Sequence, residues 1–103
     1  MNQSNHRLSI TTSARGWILA GEIDAFTSAD LAEAFRHVPD AADGVIEVDV
    51  AGVTFIDSSG LRVLLGLTDS VATAGGRVAL RNPCGAVSKL LEITGLQSTF
   101  GLG

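Results

Sequence analysis

The stretch Val45-Ile46-Glu47-Val48-Asp49-Val50-Ala51-Gly52-Val53-Thr54-Phe55-Ile56-Asp57-Ser58-Ser59-Gly60-Leu61 decides how the rest of the chain reads. Its opening residues alternate: Ile46, Val48 and Val50 face one way, Glu47 and Asp49 the other. A period of two marks a strand with one buried and one partly wet face. A bend is expected at Ala51-Gly52, after which Val53 to Ile56 is apolar again. Asp57, Ser58 and Ser59 then stand where the apolar strand stops and a helical pattern starts. Short oxygen-bearing side chains suit that place, because they accept hydrogen bonds from the N–H groups that a first helical turn leaves unpaired. The helix is predicted from about Ser59 to Ala74, with Leu61, Leu64, Leu65, Thr68 and Ala72 as its buried stripe. Gly75-Gly76 ends it with residues that favour a left-handed C-cap.

Upstream, Arg7 to Thr12 reads as a short strand with Leu8 and Ile10 on its apolar face. Ala14-Arg15-Gly16 makes a turn, and Trp17 to Ile23 a second strand, so the two can pair as a hairpin. Thr27-Ser28-Ala29-Asp30 fits a capping box. Leu31, Ala34, Phe35 and Val38 form the stripe of the helix that follows, and Pro39 ends it. Downstream, Arg77 to Arg81 is a strand, Asn82-Pro83 a turn, and Cys84 to Thr94 a third helix with Val87, Leu90 and Leu91 inward. Leu96 to Gly103 is expected to add, at most, a short edge strand. The order β-β-α-β-α-β-α-(β) is an α/β class. It implies a mixed sheet of four to five strands, with parallel crossovers and helices packed mainly on one face.

The chain has 103 residues, the size of one domain, taken as 1–103. Hydrophobic residues make up 46% and charged residues 17%, a folding composition. With four Phe, one Trp and no Tyr, the core must be built from Val, Ile, Leu and Ala. The net charge is −4, and the seven Lys and Arg are scattered from Arg7 to Lys89. That argues against direct nucleic-acid binding, which needs a basic face. The single cysteine, Cys84, has no disulfide partner, and neither His6 nor His37 stands at metal-ligand spacing to it. Cys84 is read as a small residue near a helix start. Met1 to Arg7 is polar, without a signal-peptide core, and no apolar run is long enough to span a bilayer. A cytoplasmic protein without membrane insertion is expected. Gly60 to Gly66 lacks the Lys-Ser/Thr of a phosphate-binding loop, and no dinucleotide fingerprint opens a helix. Asp24 and Asp57 both lie at strand-to-helix junctions, and paired acids can do acid–base work. Loop and capping acids are the simpler reading. No enzyme activity and no cofactor are expected.

Four landmarks carry a resemblance. They are Gly21-Glu22-Ile23-Asp24; Val53 to Leu61, continuing through Leu64-Leu65-Gly66; Gly75-Gly76 before a strand; and Leu90-Leu91-Glu92-Ile93-Thr94-Gly95-Leu96. In this order and spacing, from Leu8 to about Leu96, the chain resembles the STAS family, and within it the bacterial anti-sigma factor antagonists. The resemblance implies a switch. The first serine after the aspartate, Ser58, would be phosphorylated by a partner that is both anti-sigma factor and serine kinase, of the histidine-kinase-like ATPase type. The unphosphorylated form would bind that kinase and free a sigma factor, and a serine phosphatase would restore it. The residue matching Asp24 lies beside the serine in such folds. Partner contact is expected at Asp24, Asp57, Ser59, Gly60, Arg62 and Gly66. The outward face of the second helix carries Arg62, Gly66, Asp69 and Thr73. Gly66 costs about 1 kcal/mol relative to Ala inside a helix, which close packing against it, from outside or from within, would explain. An alternative reading keeps the fold and makes the chain an adaptor subunit of an ABC-type lipid transporter or a stress-signalling scaffold, with Ser58 only a helix cap. A tail without the further C-terminal helix of some antagonists fits that alternative, and the serine pair fits the switch.

Overall fold

The computed structural model describes the backbone of residues 2–4 and residues 7–83 and 85–102; His6 and Cys84, with the readings attached to them, lie outside the described residues. The deciding stretch forms β4, unbroken from Val45 to Ile56. The bend expected at Ala51-Gly52 is instead a shift of register within one strand. Against β3 (Gly16–Ile23), Asp49 pairs with Ile18 but Gly52 with Ala20, and Val53 pairs with Gly21 but Phe55 with Glu22. At each step β4 carries one extra residue, a bulge that leaves pairing intact on both sides. Gly52 permits the first, since a Cβ there would stand 2.8 Å from that of Ala20.

β2 (Leu8–Ser13) and β3 form the expected antiparallel hairpin, while β3, β4 and β5 (Arg77–Arg81) run parallel. A strand that sequence patterning did not reveal, β1 (Asn2–Ser4), pairs antiparallel with β2. The sheet is thus mixed and five-stranded, in the order β1-β2-β3-β4-β5. The helices are α1 (Ser28–Phe35), α2 (Ser58–Thr73) and α3 (Gly85–Thr94). Two crossovers that step the same way along a sheet, both right-handed, put α1 and α2 on one face, and the two helices touch. Beneath them lie Trp17, Val48 and Leu80, neighbours across three strands and all buried. The Trp17 ring tilts onto Phe35 of α1 at 4.6 Å. Glu47 and Asp49, on the other face, are held by Arg81 at 2.9 Å and Asn82 at 3.1 Å.

Three expected details differ. α1 stops at Phe35, so Val38 leaves the stripe and is exposed. The buried stripe of α2 is Gly60, Leu64, Leu67 and Val71; Leu61, Leu65 and Thr68 are only half-buried, and Ala72 is exposed. Apolar residues cover more than one face of this helix, so its phase is set by how Gly60 seats on the sheet. Among the described residues the tail forms no edge strand. It closes in a 3₁₀ turn, Ser98–Phe100, which packs Phe100 against β5 with no surface exposed.

Candidate functional site

The last paired residues of β3 and β4 are Ile23 and Ile56. The Asp57 N–H donates to Ile23 O at 3.2 Å, so the strands stay together for one residue more. Asp24 and Asp57 therefore follow at the carboxyl ends of neighbouring parallel strands, where open α/β sheets place their sites.

Asp57 is the N-cap of α2, in extended conformation. Its Oδ1 accepts from the Ser59 N–H at 2.9 Å and the Gly60 N–H at 3.2 Å, and its backbone oxygen accepts from Leu61 at 3.0 Å. Ser58 is the first residue of the helix and is exposed. Among the described residues its hydroxyl has no hydrogen-bond partner. Ser59 is half-buried behind it. A helix start offers open N–H groups to a phosphate only when no side chain has taken them. Here Asp57 has taken two.

Gly60 is buried, and a Cβ on it would come 2.5 Å from Ile23 Cγ2 and 3.0 Å from Ile56 Cγ1. The visible role of this glycine is to let α2 sit directly on the strand ends. Gly60→Ala is expected to destabilise the domain by about 1–3 kcal/mol through overpacking. Urea unfolding measures it; an unchanged midpoint would mean that α2 slides away without penalty.

Asp24 is buried and organises the turn into α1. Its Oδ1 accepts from the N–H groups of Phe26 at 2.9 Å and Thr27 at 3.0 Å, and its Oδ2 accepts from Arg7. Burial pushes the Asp24 carboxyl up, but the Thr27 N–H, the Arg7 guanidinium and the Phe26 N–H together hold it below the usual carboxylate range. Thr27, expected to open a capping box, makes no side-chain cap bond. Its hydroxyl donates to Glu22 O at 2.9 Å and accepts from the Asp24 N–H at 2.9 Å. Arg7 also binds Glu22 at 2.8 Å and lies 5.5 Å over the Phe26 ring. Sequence reasoning missed Arg7 and Phe26. Arg7 reaches this place only through the pairing of β2 with β3, which sets Leu8 opposite Gly21.

Arg62, Gly66, Asp69 and Thr73 form an exposed face of α2, as their spacing predicts. A Cβ on Gly66 would meet nothing within 4 Å, so internal packing does not explain this glycine. Among the described residues no three His, Cys, Asp or Glu cluster as metal ligands, and no helix is long and apolar enough to cross a membrane.

Fold and site together define an α/β domain that displays a serine on a capped helix start at the carboxyl ends of its parallel strands. The chain belongs to the STAS domain family: the family model described as "Mlab, STAS domain" matches residues 6–102. It is 35% identical over 85 residues to the anti-sigma-B factor antagonist of Bacillus subtilis, covering 82% of this chain and 76% of that protein. The protein of the same name from Listeria monocytogenes is 33% identical over 78 residues, covering 76% of this chain and 68% of its own length. An anti-sigma factor antagonist from Mycobacterium paratuberculosis superposes with a TM-score of 0.66 at 25% identity, over 99% of this chain and 81% of that one. Unphosphorylated SpoIIAA shares the fold with a TM-score of 0.61 at 18% identity, over 84% of this chain and 82% of its own.

Proposed function

We propose that this protein is an anti-sigma factor antagonist whose switch is Ser58. Unphosphorylated, it binds an anti-sigma factor that is also a serine kinase of the histidine-kinase-like ATPase type, and so frees a sigma factor. Phosphorylation of Ser58 releases it, and a serine phosphatase restores it. The observation that carries this reading is the placement of Ser58: exposed, with its hydroxyl uncommitted among the described residues, on a rigidly capped helix start. The similarity to proteins named anti-sigma-B factor antagonist supports the same reading.

Three baits test it in lysate of the native host: wild type, Ser58→Ala and Ser58→Glu, with the wild type also checked for phosphate at Ser58. Retention of a small serine kinase by the first two and its loss by the third supports the switch. Retention of an ABC transporter subunit by all three would make Ser58 a helix cap and the protein an adaptor.

In this reading the exposed face from Asp57 to Gly66 meets the kinase, with Arg62 facing an acid on it. Gly66 then has a reason, because the space over it is open for close approach from outside. Gly66→Ala is expected to stabilise the free domain by about 0.5–1 kcal/mol through helix propensity. It is also expected to weaken kinase binding several-fold. Thermal melting and calorimetric titration read the two signs separately, and unaltered binding would remove Gly66 from the interface.

A further inference from the structure

Phe26 is the most exposed large apolar side chain among the described residues, with 82% of its surface open. A single exposed apolar residue is ordinary on a protein surface. What sets Phe26 apart is how it is held. Its N–H donates to Asp24 Oδ1, and the next residue, Thr27, is fixed by both its own N–H and its hydroxyl. The ring lies under the Arg7 guanidinium, which Glu22 and Asp24 hold in place. The backbone is thus pinned and one ring face is supported. Part of the freedom that this segment would lose on binding has been taken already. Phe55, 44% exposed, pairs with Glu22 on the adjoining strand and adds apolar surface at the same end of the sheet.

We infer that Phe26 is the aromatic anchor by which this protein seats itself in an apolar socket of the kinase that modifies Ser58; the inference rests on the antagonist reading. Two observations choose that occupant. First, the cation beside the ring is outweighed by two carboxylates, so the surround of the anchor is net negative. This suits an apolar socket with a basic rim and not an acidic groove. Second, Phe26 stands three residues beyond Ile23 and Ser58 two beyond Ile56, and those isoleucines are paired. The ring and the serine thus stand on neighbouring strand-to-helix turns at the same end of the sheet. Buried aromatics at the centre of an interface carry a large share of its affinity, while residues around them gain leverage from the exclusion of water.

The test uses the serine kinase of the native host in purified form, with wild type, Phe26→Ala, Phe26→Leu and Ser58→Glu. Phe26→Ala is expected to weaken binding at least ten-fold, mainly through faster dissociation, and Phe26→Leu to lose less. In the phosphorylation assay Phe26→Ala should raise KM and leave kcat within two-fold, because the ring touches no reacting atom. Its melting temperature should match wild type, since the side chain is outside the core. Binding of Phe26→Ala within two-fold of wild type, alongside loss in Ser58→Glu, overturns this inference and leaves the switch standing. A kinase that binds neither wild type nor any variant overturns both.

Discussion

Phe100→Ala is expected to lower stability by about 3–5 kcal/mol, the usual range for truncating a fully buried aromatic. Phe100 has no exposed surface, although it lies three residues from the end of the sequence. The chain leaves α3 by a reversal at Gly95, where the N–H groups of Gly95 and Leu96 both reach Leu91 O. The following turn is closed by the Phe100 and Leu102 N–H groups on Gln97 O, and this lodges the ring against β5. Domains of this size have total stabilities of about 5–15 kcal/mol, so the variant stands near the limit of folding. Its melting temperature should fall by roughly 12–40 °C, at about 4–8 °C per kcal/mol. Thr99→Ala, one residue earlier and exposed, should stay within about 0.5 kcal/mol of wild type. Phe100→Leu restores most of the apolar volume and should recover much of the loss. A Phe100→Ala protein that melts with the wild type would show that the tail does not hold β5.

The sequence announced the elements wherever local chemistry decides them. The alternation from Val45 to Val50, the hairpin between Leu8 and Ile23 and the Gly75-Gly76 stop each follow from residues within reach of one another, and each is present. It was silent where a distant part of the fold decides. Phe100 is buried because β5 lies under it, which no pattern between Leu96 and Gly103 encodes. The phase of α2 was misjudged because leucines at 61, 64, 65 and 67 leave more than one face apolar. The choice falls to Gly60, whose missing Cβ lets one side of the helix touch Ile23 and Ile56. The site divides in the same way. Asp57 as a cap on the helix of Ser58 was legible, because capping is a matter between neighbours. Asp24 was legible as an acid at a junction, but its partner Arg7 was not, because their meeting depends on the register of β2 against β3. Two amides of that first turn are closed to a phosphate for a local reason: the same aspartate that marks the helix start also fills it.

Ser58→Glu, and phosphorylation of Ser58 more strongly, is expected to weaken kinase binding by tens to thousands of fold without rearranging α2. Phosphate adds about −1.5 to −2 charges and three acceptor oxygens. The amides of Ser59 and Gly60 already serve Asp57, whose carboxylate repels the newcomer. Arg7 is committed to Glu22, Asp24 and the Phe26 ring. Arg62, four residues further along the exposed face, is the cation at helical spacing from Ser58. Such a pair is worth about 0.2–0.5 kcal/mol on a solvated helix. Leaving a charge buried and unmatched at an interface costs about 2–5 kcal/mol, so Arg62 cannot rescue the contact. If it turns to the phosphate, it also abandons any acid on the partner. Desolvation dominates this balance, so higher salt should not restore binding, in contrast to long-range repulsion, which salt screens. Calorimetric titration of wild type, Ser58→Ala and Ser58→Glu at low and high salt gives the numbers, and amide spectra of the free proteins report on the helix. Recovery of Ser58→Glu binding at high salt would assign the release to long-range repulsion. A displaced or melted first turn of α2 in the free variant would assign it to a change of shape.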